Sequence, residues 1–206
     1  KGLRYNGCLN PWKGEMEGLS EQQLLTRAKK GQIEAFAELA RRYHEKVYQT
    51  VFWMTRDPHD TDDLVQEIFL KAFKHLKGFR GESSFYTWVY RMAMNTTLNF
   101  LKKRTREKRS REKLSQEYHQ GASSHDGLSP ESLCVGKELR GKLREAVESL
   151  PLAYKASFVL VAIQGMTHRQ ASRVLGCREN TVSWRMHKAR RMLQERLRPY
   201  LEGGSI

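Results

Sequence analysis

Three groups of side chains in this sequence have types and spacings suited to chemistry, and in each case the chemistry is binding. Near the C-terminal end, Val182, Met186, Ala189 and Leu193 recur at steps of four, three and four. In a helix that spacing turns them inward and leaves Thr181, Ser183, Trp184, Arg185, His187, Lys188 and Arg191 on the outer face. Arg185 and Lys188 can then reach base edges or phosphates, with Arg190 and Arg191 on the backbone. A second group lies between Phe79 and Phe100, where Phe85, Tyr86, Trp88 and Tyr90 mingle with Arg80 and Arg91 and lead to Lys102, Lys103 and Arg104. Aromatic faces stack on unpaired bases while nearby cations hold phosphate, which is how a melted strand is captured. Phe85, Trp88 and Met92 also keep helical spacing, so a core role competes with base stacking at these positions. The third group is Asp63, Gln66 and Glu67. This acidic and amide patch would repel phosphate, so a basic protein surface suits it better. Dipole compensation at a helix start accounts for Asp62 and Asp63, but not for Gln66 and Glu67 beyond the first turn.

The elements that must position these groups read as helices throughout. Ser20 with Gln23 makes a capping box, Gly31 ends the first helix, and Ala35, Phe36, Leu39, Ala40, Tyr43, Val47 and Val51 mark a long amphipathic one. Asp57-Pro58 breaks that pattern, Asp60 or Thr61 is expected to cap the next helix, and its stripe is Leu64, Ile68, Phe69, Ala72, Phe73 and Leu76. A loop from Phe79 to Ser83 precedes a helix that runs out into Lys102-Lys103-Arg104. Past Arg106 the apolar period is lost. Periodicity returns at Leu139, Leu143, Val147 and Leu150, stops before Pro151, and resumes as an apolar helix from Phe158 to Ile163 closed by Gly165. Thr167 with Gln170 is a second capping box, Gly176 supplies the turn, and the cation-bearing helix follows from about Glu179. Two short helices, a glycine turn and a basic outer face describe a helix-turn-helix, whose second helix enters the major groove.

The expected fold is therefore all-α: two small helical domains joined by a flexible linker, the second a helix-turn-helix. Boundaries are a flexible leader over 1–18, a first domain over 19–105, a linker over 106–134 and a second domain over 135–202. A formal net charge of +14 over 206 residues favours polyanionic partners. No apolar run is long enough to insert in a membrane. Cys8, Cys134 and Cys177 form no CxxC pair, so neither a disulfide framework nor a zinc site is expected, and a reducing cytoplasm fits. The sequence holds no P-loop, glycine-rich nucleotide loop, nucleophile elbow or clustered carboxylates. No enzyme, cofactor or metal is expected.

Asp62-Asp63-Leu64-Val65-Gln66-Glu67-Ile68-Phe69-Leu70-Lys71-Ala72-Phe73 resembles conserved region 2.2 of bacterial sigma factors. Phe79 through Thr96 resembles regions 2.3 and 2.4, and Leu150-Pro151 through Leu193 resembles region 4. The order is right and the likeness spans nearly the whole chain after Leu19, as in the extracytoplasmic-function members that keep only domains two and four. That resemblance implies promoter recognition and melting with core RNA polymerase. Asp63, Gln66 and Glu67 would grip the clamp helices of the largest subunit, and the second domain would meet the flap. Arg80, Ser83, Phe85, Tyr86, Trp88, Arg91 and Asn95, with Lys102, Lys103 and Arg104 along the backbone, would serve the melted minus-ten element. Arg178 would join Thr181, Ser183, Trp184, Arg185, His187, Lys188 and Arg191 on the minus-thirty-five duplex. An anti-sigma factor is implied as a further partner, able to hold the protein near the membrane. The implied location is the cytoplasm, on the nucleoid when in holoenzyme. Ser183-Trp184 stands where the family usually has Lys or Arg followed by Ser, and Ala171-Ser172 replaces a more typical Ile-Ala. The promoter sequence read therefore does not carry over. The rival reading is a dimeric helix-turn-helix regulator with an N-terminal sensing or dimerisation domain, which would bind a palindrome alone.

Overall fold

The structure, a computed structural model, describes residues 16, 18–116 and 135–202, and every regular element among them is helical. Helix α1 spans Glu21–Lys29, α2 Ile33–Thr55, α3 Pro58–His75 and α4 Phe85–Gln116. Helix α5 spans Val135–Glu148, α6 Leu152–Phe158, α7 His168–Leu175 and α8 Glu179–Glu202. Both capping boxes form. Ser20 Oγ accepts from the Gln23 N–H at 3.3 Å while Gln23 Oε1 accepts from the Ser20 N–H at 2.8 Å. Thr167 and Gln170 exchange the same pair of bonds at 3.2 and 2.9 Å.

Helix α3 starts earlier than Asp60 or Thr61. Asp57 is the cap, its Oδ1 accepting from the His59 and Asp60 N–H groups at 2.8 and 3.0 Å. Pro58 then occupies the first helical position, where a missing N–H costs nothing. The dipeptide that ends one helix therefore begins the next. Thr61 is instead buried, sharing a 2.8 Å hydroxyl contact with Thr55. Along α3, Leu64, Val65, Ile68 and Ala72 are buried, as is Leu76 just beyond, but Phe73 stays exposed, so the buried stripe is shifted toward Val65.

Helix α4 continues past Arg104 through Gln116, so the stretch expected to open a linker at Arg106 is helical there. Its Lys, Arg and Glu residues are good helix formers, and Lys103 faces Glu107 one turn on at 3.8 Å. Loss of the apolar period here marks the solvated end of a helix whose 32 residues span about 48 Å at ~1.5 Å per residue. The rest of the expected linker and nearly all of the leader lie outside the described residues. Helix α6 likewise starts before Phe158, at Leu152 after Pro151, and runs on as one π turn over Val159–Ile163. Tyr154 and Lys155 hid that start by interrupting the apolar run.

One apolar core joins the helices. Leu24, Leu39, Val47, Val51, Ile68, Phe85 and Tyr90 are continuous with Ala156, Leu160, Met166, Val174, Val182 and Met186. A smaller cluster of Ala146, Val147, Leu150, Ala189 and Leu193 closes α5 on α8. Between the two units α4 packs on α7, and α2 meets the π turn. Polar ties among the described residues also cross this seam. The Tyr90 hydroxyl donates to Gln164 Oε1 at 3.0 Å, Lys155 Nζ donates to the Met54 carbonyl at 3.1 Å, and Arg56 stands 3.8 Å from Glu148.

Candidate nucleic-acid interface

The helix-turn-helix is built as its spacing requires. Gly176 closes α7 at φ 63°, a left-handed conformation that strains any side chain with a Cβ. The chain then turns into α8, where Val182, Met186, Ala189 and Leu193 are all buried. Arg178, Ser183, Trp184, His187 and Arg191 are exposed, while Thr181, Arg185 and Lys188 are half-buried. Trp184 is 52% exposed on the outer face, held edge-on by Tyr154 at 5.7 Å with Lys188 Nζ 5.8 Å from its ring centre. Arg185 leans toward Cys177 Sγ at 3.9 Å, and Arg191 pairs with Glu195 at 2.9 Å. A face of hydroxyls, one fixed indole and several cations can enter a major groove and hold its flanking phosphates.

The α4 group divides in two. Phe85 has no exposed surface. It packs against Tyr43, Phe79 and Trp88 with centroids at 5.5, 6.0 and 5.7 Å, so it holds other rings in place and cannot itself meet a base. This corrects its expected place among the minus-ten contacts. Tyr86, Trp88 and Ser83 are half-buried, and Arg80, Arg91, Asn95, Lys102, Lys103 and Arg104 are exposed. Ser84 caps the helix, its Oγ accepting from the Thr87 N–H at 3.2 Å. Arg104 forms an ion pair with Asp60 of α3, which anchors α4 where its cationic stretch begins. Tyr90 is fully buried, and burial pushes its hydroxyl well above the usual tyrosine range.

Asp63, Gln66 and Glu67 are exposed on α3, with Glu67 paired to Lys71 at 2.5 Å. Beside them lies a groove of about 500 Å³ between α2 and α3, lined by Ile33, Phe36, Phe69, Leu70 and Phe73, with Gln66 and Asp62 at its rim. Ile33 is 62% and Leu70 53% exposed, an unusual display for aliphatic side chains. Sequence reading missed this groove because Ile33 and Leu70 lie outside the buried stripes. The signal was present in apolar residues that the stripes left unused. Glu38, also missed, is buried and grips Arg41 and Arg42 at 2.8 and 2.7 Å. The Arg41 hydrogen bond, with help from Arg42, holds its carboxyl below the usual range against the effect of burial. Among the described residues no group of three or more His, Cys, Asp or Glu could hold a metal ion, and no helix is long and apolar enough to cross a membrane.

Two helical units, one carrying a helix-turn-helix and the other an aromatic-basic helix, define a two-module reader of nucleic acid. Comparison with known proteins narrows the class. Residues 39–107 match sigma-70 region 2, and residues 140–193 match sigma-70 region 4. The chain is 32% identical over 189 residues to the ECF RNA polymerase sigma-E factor of Haemophilus influenzae, covering 90% of this chain and 99% of that relative. To the ECF RNA polymerase sigma-E factor of Escherichia coli strain K12 it is 32% identical over 188 residues, covering 90% and 98%. Two solved structures share the fold. CnrH in complex with the cytosolic domain of CnrY gives a TM-score of 0.63 at 21% identity, over 90% of this chain and 99% of that one. The sigma factor RpoE in complex with the anti-sigma factor NepR from Bartonella quintana gives 0.61 at 20% identity, over 79% and 96%. The chain belongs to the extracytoplasmic-function sigma factors and is a promoter-specific RNA polymerase sigma factor.

Proposed function

We propose that the first unit docks on the polymerase clamp helices through Asp63, Gln66 and Glu67 and captures the melted minus-ten strand through Arg80, Ser83, Tyr86, Trp88, Arg91 and Asn95. Lys102, Lys103 and Arg104 track the strand's backbone, and Phe85 acts from beneath by fixing the rings of Trp88 and Tyr43. The second unit reads the minus-thirty-five duplex with α8 and meets the polymerase flap, while the segment between the units lies along the enzyme. The observation that carries this reading is the separation of surfaces on one small body. An acidic, amide-bearing patch sits beside an exposed apolar groove on α3, and the cations gather on α4 and α8. An apolar groove with an acidic rim suits protein; the cationic faces suit phosphate.

An anti-sigma factor is the expected antagonist, in line with the anti-sigma factor NepR that the Bartonella quintana structure contains. The protein works in the cytoplasm, on the nucleoid once in holoenzyme, and contributes binding energy to initiation with no catalysis of its own. Run-off transcription with sigma-free core polymerase tests the assignment. Specific transcripts should form with the native chain and be lost when Gln66→Ala and Glu67→Ala are combined, with unfolding behaviour unchanged. Transcripts at the native level from that double variant would remove the clamp contact from α3. Promoter binding should also weaken by about 10³–10⁵ between 50 and 200 mM salt if 6–10 phosphates are contacted.

A further inference from the structure

Helix α1 carries none of the promoter contacts proposed above, yet one of its side chains reaches the residues beneath them. Two lysines, Lys29 and Lys30, close α1 before Gly31. Cations at a helix end suit its dipole, which accounts for both residue types. It does not account for where Lys29 goes. Lys30 is exposed, whereas Lys29 is half-buried and its Nζ donates to the Phe79 carbonyl at 2.5 Å, 50 residues further on. The same ammonium stands 5.1 Å from the centre of the Phe79 ring. One side chain therefore holds both the backbone and the ring of Phe79.

Phe79 is a place where such a hold matters. Its N–H closes the short turn over Leu76–Gly78, donating to the Leu76 carbonyl at 3.1 Å, and the chain then leaves the turn extended. Its own carbonyl lies beyond the helical ladder, and a part-buried acceptor left without a donor is costly. A charged donor makes the stronger bond, and a cation over the ring adds to it. From Phe79 the fixation passes in two directions. Arg80, Gly81 at φ 79° and Glu82 follow at once, all exposed, before Ser84 caps α4. The Phe79 ring packs on Trp88 and Phe85 with centroids at 5.1 and 6.0 Å. A melted strand must be caught before it reanneals, and a loop and ring already in place lower the ordering cost of capture.

We propose that Lys29 is a positioning residue for minus-ten strand capture. From α1 it fixes the Phe79 carbonyl and ring, and through them the loop that bears Arg80 and the ring of Trp88, without itself meeting DNA. The inference rests on the minus-ten contacts proposed above. Because its ammonium is committed to a carbonyl, Lys29 adds nothing to the hold on duplex phosphates. Its contribution falls on the step in which unpaired bases are caught.

Three variants of the full chain, each with core polymerase on a promoter fragment that the native protein transcribes, test this. Lys29→Met removes the ammonium, Lys29→Arg keeps a charged donor of similar reach, and Lys30→Met removes the neighbouring charge. Initial binding is read by fluorescence anisotropy in the cold, and melting by the rate at which thymines near the start site become reactive to permanganate. Lys29→Met should slow melting about tenfold, the scale of one charged hydrogen bond, and move initial binding by less than about twofold. The salt slope of binding should stay as it is. Lys29→Arg should recover most of the rate, and Lys30→Met should match the native chain. Misfolded protein lowers the amplitude of melting and leaves its rate alone, so a loss of amplitude only overturns positioning. A native melting rate in Lys29→Met overturns it too, as does equal slowing in Lys29→Arg. A salt slope smaller by about one would make Lys29 a phosphate contact instead. A native chain that melts no promoter overturns the minus-ten reading itself, and this role with it.

Discussion

The first turns of α4 and α8 obey one sequence rule, and the fold puts them to different uses. Each sets an aromatic among cations near a helix start on a nucleic-acid face. In α4 the aromatic is Phe85, enclosed by Tyr43, Phe79 and Trp88 with no surface left. In α8 it is Trp184, half open to solvent with only the Tyr154 edge and the Lys188 ammonium against it. Helix α4 is packed by α2 and α3 on one side and by α7 on another, whereas α8 is left bare over its outer face. An aromatic at helical spacing is thus a core residue or a reader according to which face of its helix the neighbours cover.

The largest expected effect breaks or keeps this contrast directly. Phe85→Ala should cost about 3–5 kcal/mol of stability in denaturant unfolding, as removal of a buried aromatic does. Trp184→Ala should cost no more than ~1 kcal/mol, as for a partly exposed site. It should nonetheless weaken binding of the isolated minus-thirty-five duplex, measured by fluorescence anisotropy. Equal losses of stability would erase the distinction between the two helices. Next comes the turn that aims α8. Gly176→Ala places a Cβ at φ 63° and should lower stability by roughly 1–2 kcal/mol, read as a fall in Tm.

Lys155 sharpens the contrast from the seam side. Burial holds its ammonium below the ordinary 10.5; Glu148 acts the other way, and Arg56 adds to the lowering. Between the lowered folded value and 10.5 the unfolded chain binds more protons, so this residue makes stability rise with pH across that window. Below the folded value its buried charge is a standing cost. Lys155→Met should therefore be neutral or stabilising at neutral pH and should flatten the alkaline rise in Tm. A Met variant that loses stability and keeps the slope would show that the Met54 hydrogen bond outweighs the desolvation. The smallest effect belongs to Arg104, whose exposed pair with Asp60 is worth at most ~1 kcal/mol. Arg104→Ala should hardly move Tm, while reducing the salt slope of promoter binding by about one phosphate.

Much of this molecule is legible in the sequence because its signals are local. The boxes at Ser20–Gln23 and Thr167–Gln170, the left-handed Gly176 and the buried row from Val182 to Leu193 each follow from a few adjacent residues. Two of the errors share one cause. At Arg106–Gln116 and at Leu152–Lys155, helix was equated with an apolar period, although charged and mixed stretches form helix as well when their propensities favour it. At Asp57 the cap was overlooked because Asp-Pro reads as an end, while proline at a first helical position equally reads as a start. The exposed Ile33 and Leu70 lie outside the stripes and Phe73 was counted within one, because a periodic stripe identifies apolar spacing in a helix and is silent about which of its residues are kept for a partner.

By itself the sequence determined the helical class, the helix-turn-helix, the cationic and acidic faces and the family likeness, since each depends on side-chain type at fixed short spacing. Tertiary structure alone decided that Phe85 supports a site it does not touch and that α2 and α3 leave an apolar groove beside Gln66. It alone brought Tyr90 to Gln164 and Lys155 to the Met54 carbonyl across the seam. Those outcomes depend on which faces meet at long range. Burial is a property of a pair of surfaces, and the spacing within one helix describes only half of that pair.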